Sequence, residues 1–375
     1  MNAEQLHATC LELRKEIDTL SLLSELQQLT SALQNSINQP NQAQYQEQIG
    51  ISKDKLLSSL ERVESSERPV TKQQIIEEIG GSGLLGGSLK ARIEESFSQL
   101  EVTPALVQKD ITEMHSELES FREGIDQLIA GFERLNIEAD ELEGYVAELA
   151  ILIPRRENAD DLEYFSKDLK NLNRELQHFN ELVTGGAGQF RIRSLSSSDY
   201  SVFLQFLPET AQAVVSTIVL LLLGYEKLLD IRKKRADLAE EEAPEALIDE
   251  MDKWAESLMS EKIDQITDEL MEQFKDVDRA DLRANELKGH VRLSVKKLAG
   301  RIDVGYHFSA RIGEVEVPSE EDAADEELVA EYERKSDLIE NVKSNASTLE
   351  YQSMDGDPVL PLSWQPSSED PDENV

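Results

Sequence analysis

Apolar positions along this chain recur first at helical spacing, then in alternation, then in an unbroken run. At the N-terminus Leu6, Cys10, Leu13, Ile17 and Leu20 alternate in steps of four and three. Leu23, Leu26, Leu29, Leu33 and Ile37 continue the stripe less strictly. Residues three and four apart share one face of a 3.6-residue helix, so the spacing predicts a long amphipathic helix packed on another helix. Gln and Asn crowd Gln34–Gln48 around Pro40 and predict a break. Short helices are expected over Ser52–Val63 and Thr71–Ile79. Thr103-Pro104 reads as the cap and first residue of the next helix. From there Val107, Ile111, Met114, Leu118, Phe121, Ile125, Leu128, Phe132 and Leu135 hold the four-three alternation without a slip, a coiled-coil-like seam. Its partner is either the N-terminal helix folded back or a second copy of the chain, and the periodicity fits both.

The pattern changes at Tyr145. Tyr145–Ile153 is aliphatic and β-branched, ends at Pro154 and reads as a buried strand. Leu162, Phe165, Leu169, Leu172, Leu176, Phe179 and Val183 form a helical stripe that stops at Gly185-Gly186. Phe190 and Ile192 then alternate with Arg191 and Arg193, a turn is expected at Ser196–Asp199, and Tyr200–Leu207 alternates again. Pro208 ends that strand and can open a helix. The helix core that follows, Ala213–Tyr225, is apolar on nearly every side and has to be covered, by protein or by lipid. It rises only about 20 Å against a hydrocarbon core of about 30 Å, which favours a buried helix covering the sheet over a membrane span. Leu247, Met251, Trp254 and Leu258, then Ile263, Ile266, Leu270 and Phe274 in a shifted register, predict a helix after Pro244. Another is expected over Asp281–Leu298. Val304, Tyr306, Phe308, Ala310 and Ile312 alternate as a late strand, expected to add an edge to the hairpin.

These elements predict a predominantly helical α+β fold in three regions: a helical coiled-coil-like region over 1–140, a small α+β domain with a buried central helix over 141–315, and an acidic, largely disordered tail over 316–375. Charge supports the last. The chain carries 76 acidic and 38 basic residues, a net charge of −38, and the acidic excess is heavy beyond Pro318. Such a surface repels nucleic-acid phosphates and anionic lipid, so a general nucleic-acid role is disfavoured; solubility or a salt-rich cytoplasm accounts for the charge more simply than mimicry of DNA. Inside the tail, Val359-Leu360-Pro361-Leu362-Ser363-Trp364 forms an apolar island. Leu360, Leu362 and Trp364 either dock on the body or serve as a peptide motif for a partner.

Candidate chemistry is sparse. Cys10 is the single cysteine, which excludes an internal disulfide or thiolate cluster. No secretory signal is read in Met1–Arg14, so a cytoplasmic location is expected. Gly81, Gly83 and Gly86 spell G-x-G-x-x-G, but that motif needs a buried strand before it, and Gln73–Ile79 reads as helix. Glu175 and His178 match half of a di-iron bundle site, with no second copy to complete it. Asp276 and Asp278 open like a calcium loop, but Asp281 stands where glycine is required. No catalytic residue, metal ligand or cofactor site is assigned. Arg232, Lys233, Lys234 and Arg235 stand out against the acidic background as cations flanking the end of the buried helix, or as ligands for phosphate, anionic lipid or the acidic tail.

The expected function is a non-enzymatic interaction or scaffold protein. It would self-associate or bind a protein partner through long helices, with Leu118, Phe121, Ile125 and Leu128 in the seam. One alternative is a membrane-associated component using residues 213–225 and the basic cluster 232–235. The other is a nucleotide-binding protein using the glycine loop 81–86.

Overall fold

The computed structural model describes residues 3–61, 70–98, 103–142, 144–154, 162–196, 200–240, 244–277, 281–315, 326–347, 349 and 357–366. The turn predicted at Ser197–Asp199 and the acidic clusters at Glu320–Asp322 and Ser367–Asn374 lie outside them. The chain divides into two compact units, Met1–Glu141 and Leu142–Val375.

The first unit is helical: α1 Ala3–Thr19, α2 Leu22–Asn38, α3 Ala43–Glu61, α4 Val70–Glu78, α5 Gly86–Phe97 and α6 Pro104–Arg134. The single N-terminal helix expected from the stripe is broken in two at Ser21, whose φ of 52° is left-handed. The break falls where the four-three alternation slips, so that α2 buries Leu22, Leu26, Leu29 and Leu33. Both halves pack on α6, and α1 runs antiparallel to it. His7 Nδ1 bonds Ile137 O at 2.9 Å near the end of α6, while Asp18 pairs with Arg122 in its middle at 2.9 Å. The partner of the α6 seam is thus the chain's own N-terminal pair. α3 reverses onto α2, and α5 fills the angle between α3 and α6. α3 starts earlier than its apolar spacing implied, because glutamine is a good helix former even without an apolar stripe. α5 was hidden behind its glycines, although Leu89 and Ile93 sit four apart and are both fully buried.

The second unit contains β1 Ala147–Leu152, α7 Leu162–Thr184, β2 Arg191–Ser196, β3 Ser201–Phe206, α8 Pro208–Glu240, α9 Glu245–Gln273, α10 Asp281–Asp303, β4 His307–Ile312 and α11 Glu326–Ser347. The four strands form an antiparallel sheet in the order β2-β3-β1-β4. The late strand therefore joins β1 and not the hairpin. β1 is apolar on both sides of its register, with Leu149 opposite Leu204 on one neighbour and Ala310 on the other, and so takes the centre. Ala147, Leu149 and Ile151 share a core with Val214, Val215, Ile218 and Leu221 of α8. The sheet is only part of the cover of α8; α7, α9, α10 and α11 also pack on it. Among the described residues no helix is long and apolar enough to cross a membrane.

The predicted disorder over 316–375 does not hold throughout. Residues 326–347 form α11, which packs on α8 and β4 with Ile339 and Val342 buried. Charge density masked a short apolar stripe, Leu338, Ile339 and Val342, that α8 needs as cover.

The enclosure of α8 is testable by a pair of substitutions two residues apart. Leu221 is fully buried and Leu223 is 61% exposed. Leu221→Ala is expected to cost about 2–5 kcal/mol, and Leu223→Ala less than about 0.5 kcal/mol. Urea unfolding followed by tryptophan fluorescence measures both, because Trp254 and Trp364 lie in the second unit. A large loss at Leu223 would mean that this face is covered.

Candidate functional site

Two places bring chemistry-bearing residues together, one in each unit. In the second unit, the end of α10 presents Lys296, Gly300 and Asp303 on one face, at helical spacings of four and three. The segment 357–366 lies across that face. Pro358 and Pro361 keep it extended (Pro361 φ −56°, ψ 145°), and a short 3-10 turn, Leu362–Trp364, follows, closed by Trp364 N–H to Pro361 O at 2.9 Å. An extended proline-bearing backbone makes no internal ladder, so its N–H and C=O groups are available to side chains.

The body takes them up. The Asp303 carboxylate accepts Leu360 N–H at 2.8 Å and Val359 N–H at 3.4 Å. Lys297 Nζ donates to Ser363 O at 3.1 Å and to Gln365 O at 3.4 Å. Asn171 Nδ2 of α7 donates to Pro366 O at 2.8 Å, and Arg235 of α8 reaches Pro358 O at 3.4 Å. Trp364 is 2% exposed, with Lys296 Nζ 4.7 Å from its ring centroid. Gly300 is what lets the segment approach: a Cβ there would stand 2.1 Å from Trp364 O. The indole N–H is buried with no acceptor among the described residues, a cost of about 1–3 kcal/mol.

Beneath this surface lie two buried ionic clusters. Asp303 also accepts the Tyr225 hydroxyl and pairs with Arg232 at 3.0 Å. Burial, then the Asp303 charge, pushes the Tyr225 phenol far up, so it stays a donor. Arg301 is fully buried; it meets Asp168 at 2.5 Å and Glu175 at 2.9 Å, and Tyr306 donates to Asp168 at 2.6 Å. Burial works against the Arg301 charge, yet Glu175 and Asp168 hold it well above its ordinary value. Burial likewise raises Glu175.

The basic cluster is therefore divided. Arg232 is 3% exposed and internal, Arg235 is half-buried and pairs with Asp252 at 3.0 Å, and Lys233 and Lys234 are exposed. Leu360 and Trp364 are buried, and Leu362 is 77% exposed. Glu175 and His178 point to different partners. His178 Nδ1 lies 2.8 Å from Ser294 Oγ, and its ring stacks on His290 at 4.9 Å. Among the described residues, no group of three or more His, Cys, Asp or Glu is placed to hold a metal. Asp303, Lys297 and Asn171 carried no motif in the sequence. Gly300 falls beyond the helix expected over Asp281–Leu298, in what proves to be the last turn of α10, so its close approach to another backbone carried no signal of its own.

In the first unit, the glycine loop connects helix α4 to helix α5 and follows no strand, so the context of a dinucleotide motif is missing. Gly81 packs directly on α6: a Cβ would stand 2.6 Å from Ile76 Cγ2 and 2.7 Å from Phe121 Cζ. Beside the loop a groove of about 830 Å³ runs along α6. Ile79, Leu84, Phe121, Ile125 and Leu128 supply its apolar lining, and Glu113, Glu117, Ser116 and Ser120 its polar lining. Of the four seam residues, Leu118 and Ile125 are buried, Phe121 is half-buried and Leu128 is 37% exposed.

Two consequences are measurable. Arg301→Met would leave Asp168 and Glu175 buried without their cation and is expected to cost about 3–5 kcal/mol near neutral pH in urea unfolding. Burial, then the neighbouring His290, lowers His178 from 6.5 to about 4. Between those values the unfolded chain binds a proton that the folded chain refuses, so this contribution is whole above about 6.5, declines as pH falls and levels off below about 4. Stability measured against pH is expected to fall less steeply over that window in His178→Gln than in the unaltered chain. Equal slopes would mean that His178 titrates as a solvated imidazole. The chain matches no known family model, no curated protein and no solved structure with which it was compared.

Proposed function

We propose that this is a non-enzymatic interaction protein whose first unit binds an amphipathic helix of basic character in the groove along α6. The observation that carries the proposal is the lining of that groove: an apolar strip from Ile79 to Leu128, bordered by Glu113 and Glu117. A smaller hollow of about 250 Å³ adjoins it through Glu113 and adds Glu95, Asp110 and one cation, Arg92. Arg92 pairs with Glu117 at 2.8 Å and Lys109 with Glu113 at 3.4 Å, so a basic helix would share these carboxylates with them, and Glu95 and Asp110 leave the rim acidic in balance. A helix that laid leucines on the strip and lysines toward these carboxylates would bury apolar area and meet opposite charge. A second copy of so acidic a chain would meet like charge there, which favours a different partner over self-association. The binding surface sits on α6, held along its opposite face by α1 and α2, so little ordering is required of the receptor.

Two synthetic helices with the same leucine stripe, one flanked by lysines and one by glutamates, separate the contributions. Fluorescence anisotropy with the full-length protein is expected to show binding of the lysine helix only. Ser120 lines the groove, and Ser257 is exposed on α9. Ser120→Arg should weaken binding by at least about tenfold, about 1.4 kcal/mol, whereas Ser257→Arg adds the same charge elsewhere and should leave it unchanged. Equal weakening by both would reduce the effect to general electrostatics and remove the groove from the account.

A further inference from the structure

The segment 357–366 is held as a ligand is held. Six of its hydrogen bonds with the body run between body side chains and segment backbone: Asp303 accepts two N–H groups, and Lys297, Asn171 and Arg235 donate to carbonyls. Selectivity comes from few side chains. Val359 and Leu360 are buried at one end and Trp364 at the other, while Leu362 between them faces outward. This is the division of labour of a peptide-recognition groove, in which main-chain bonds give affinity and spaced pockets give specificity.

The receptor half is built without help from the segment. Tyr225 and Arg232 of α8 fix the Asp303 carboxylate, and the Arg301 cluster ties α10 to α7 beside Lys297. A surface so pre-organised keeps its shape when its occupant leaves. The occupant is also imperfectly satisfied, since its buried indole N–H has no acceptor among the described residues. The sequence joins it to α11 through a short tether, and tethering gives the resident segment a high effective concentration.

We propose that the end of α10 is a peptide-recognition site for a short extended segment of the pattern aliphatic-Leu-Pro-x-x-Trp-x-Pro. Residues 357–366 are its resident ligand in cis, and a segment of the same pattern on a partner protein displaces them. The site belongs to the second unit and does not depend on the α6 groove.

The test uses the full-length chain and a fluorescent synthetic peptide of residues 357–366. Trp364→Ala loosens the resident segment and leaves the receptor intact. This variant is expected to keep its far-UV circular dichroism and to bind the peptide at least about tenfold more tightly than the unaltered chain, in which the tethered copy competes. Adding Gly300→Ala should abolish binding, because the new Cβ occupies the place of the Trp364 carbonyl, although alanine is otherwise the better helix former. A peptide carrying alanine in place of its tryptophan should bind at least about tenfold more weakly. The proposal is overturned if the folded Trp364→Ala chain does not bind the peptide. It is equally overturned if that chain loses its helical signal, since the segment would then be a structural element. Concentration-dependent dimers of the unaltered chain, lost in Gly300→Ala, would overturn the assignment to a partner protein and make a second copy the donor.

Discussion

A helix with apolar side chains on nearly every side has to be enclosed, and that requirement organises the second unit. α8 is the one element in contact with the sheet, with the helices before and after it, and with α11 beyond them. The sheet covers only one side. The remaining area is closed by α7, α9, α10 and α11, and α11 is recruited from a region whose charge alone would leave it solvated. The acidic surface and the apolar interior are thus met by the same helix, with Ile339 and Val342 turned inward and Glu333 and Glu340 exposed.

Enclosure extends past the apolar stretch, and this is where binding chemistry arises. Tyr225 and Arg232 lie on the buried side of α8, and neither can be left in an apolar interior without a partner. Asp303 answers both. It also retains acceptor capacity, because a carboxylate offers about four lone-pair sites. Val359 and Leu360 N–H groups occupy that remaining capacity. The docking surface is therefore a by-product of burying an arginine: a carboxylate placed to neutralise Arg232 is half turned toward a groove. Arg301 makes the complementary case. Asp168 and Glu175 satisfy it inside the body, with Tyr306 donating to Asp168, so it holds α10 in place and offers nothing outward.

Local periodicity was the most legible layer of the sequence. The strand–helix–hairpin–helix order and the late strand follow from the switch between spacings of 3.6 and 2, and Pro208 marks the start of α8 to the residue. What was hidden depended on partners distant in sequence. The place of β4 beside β1 is a choice between sheet edges, which alternation within one strand cannot express. The fate of Arg232 was obscured by its neighbours: Lys233 and Lys234 do face solvent, and a run of four cations reads as one patch. A helix rotates each successive residue by about 100°, so a run of four spreads around the whole circumference and cannot lie on one face. The tail was misread because charge density was weighed over the whole region, while α11 needs only a narrow stripe to be worth burying.

The cations turned inward take carboxylates with them. Arg232, Arg235, Lys297 and Arg301 are buried or half-buried within the second unit, so their charges neutralise internal carboxylates and carbonyls instead of the surface. Asp303, Asp252, Asp168 and Glu175 are drawn inward with them, four carboxylates with four cations, so the outer face keeps the acidic excess of the sequence. The α10 groove works on a different principle. Its contacts with residues 357–366 are hydrogen bonds to a neutral backbone and a buried indole. One chain thus carries an acidic groove along α6 and a small desolvated site at the end of α10, the first bordered by carboxylates and the second built of hydrogen bonds to a backbone.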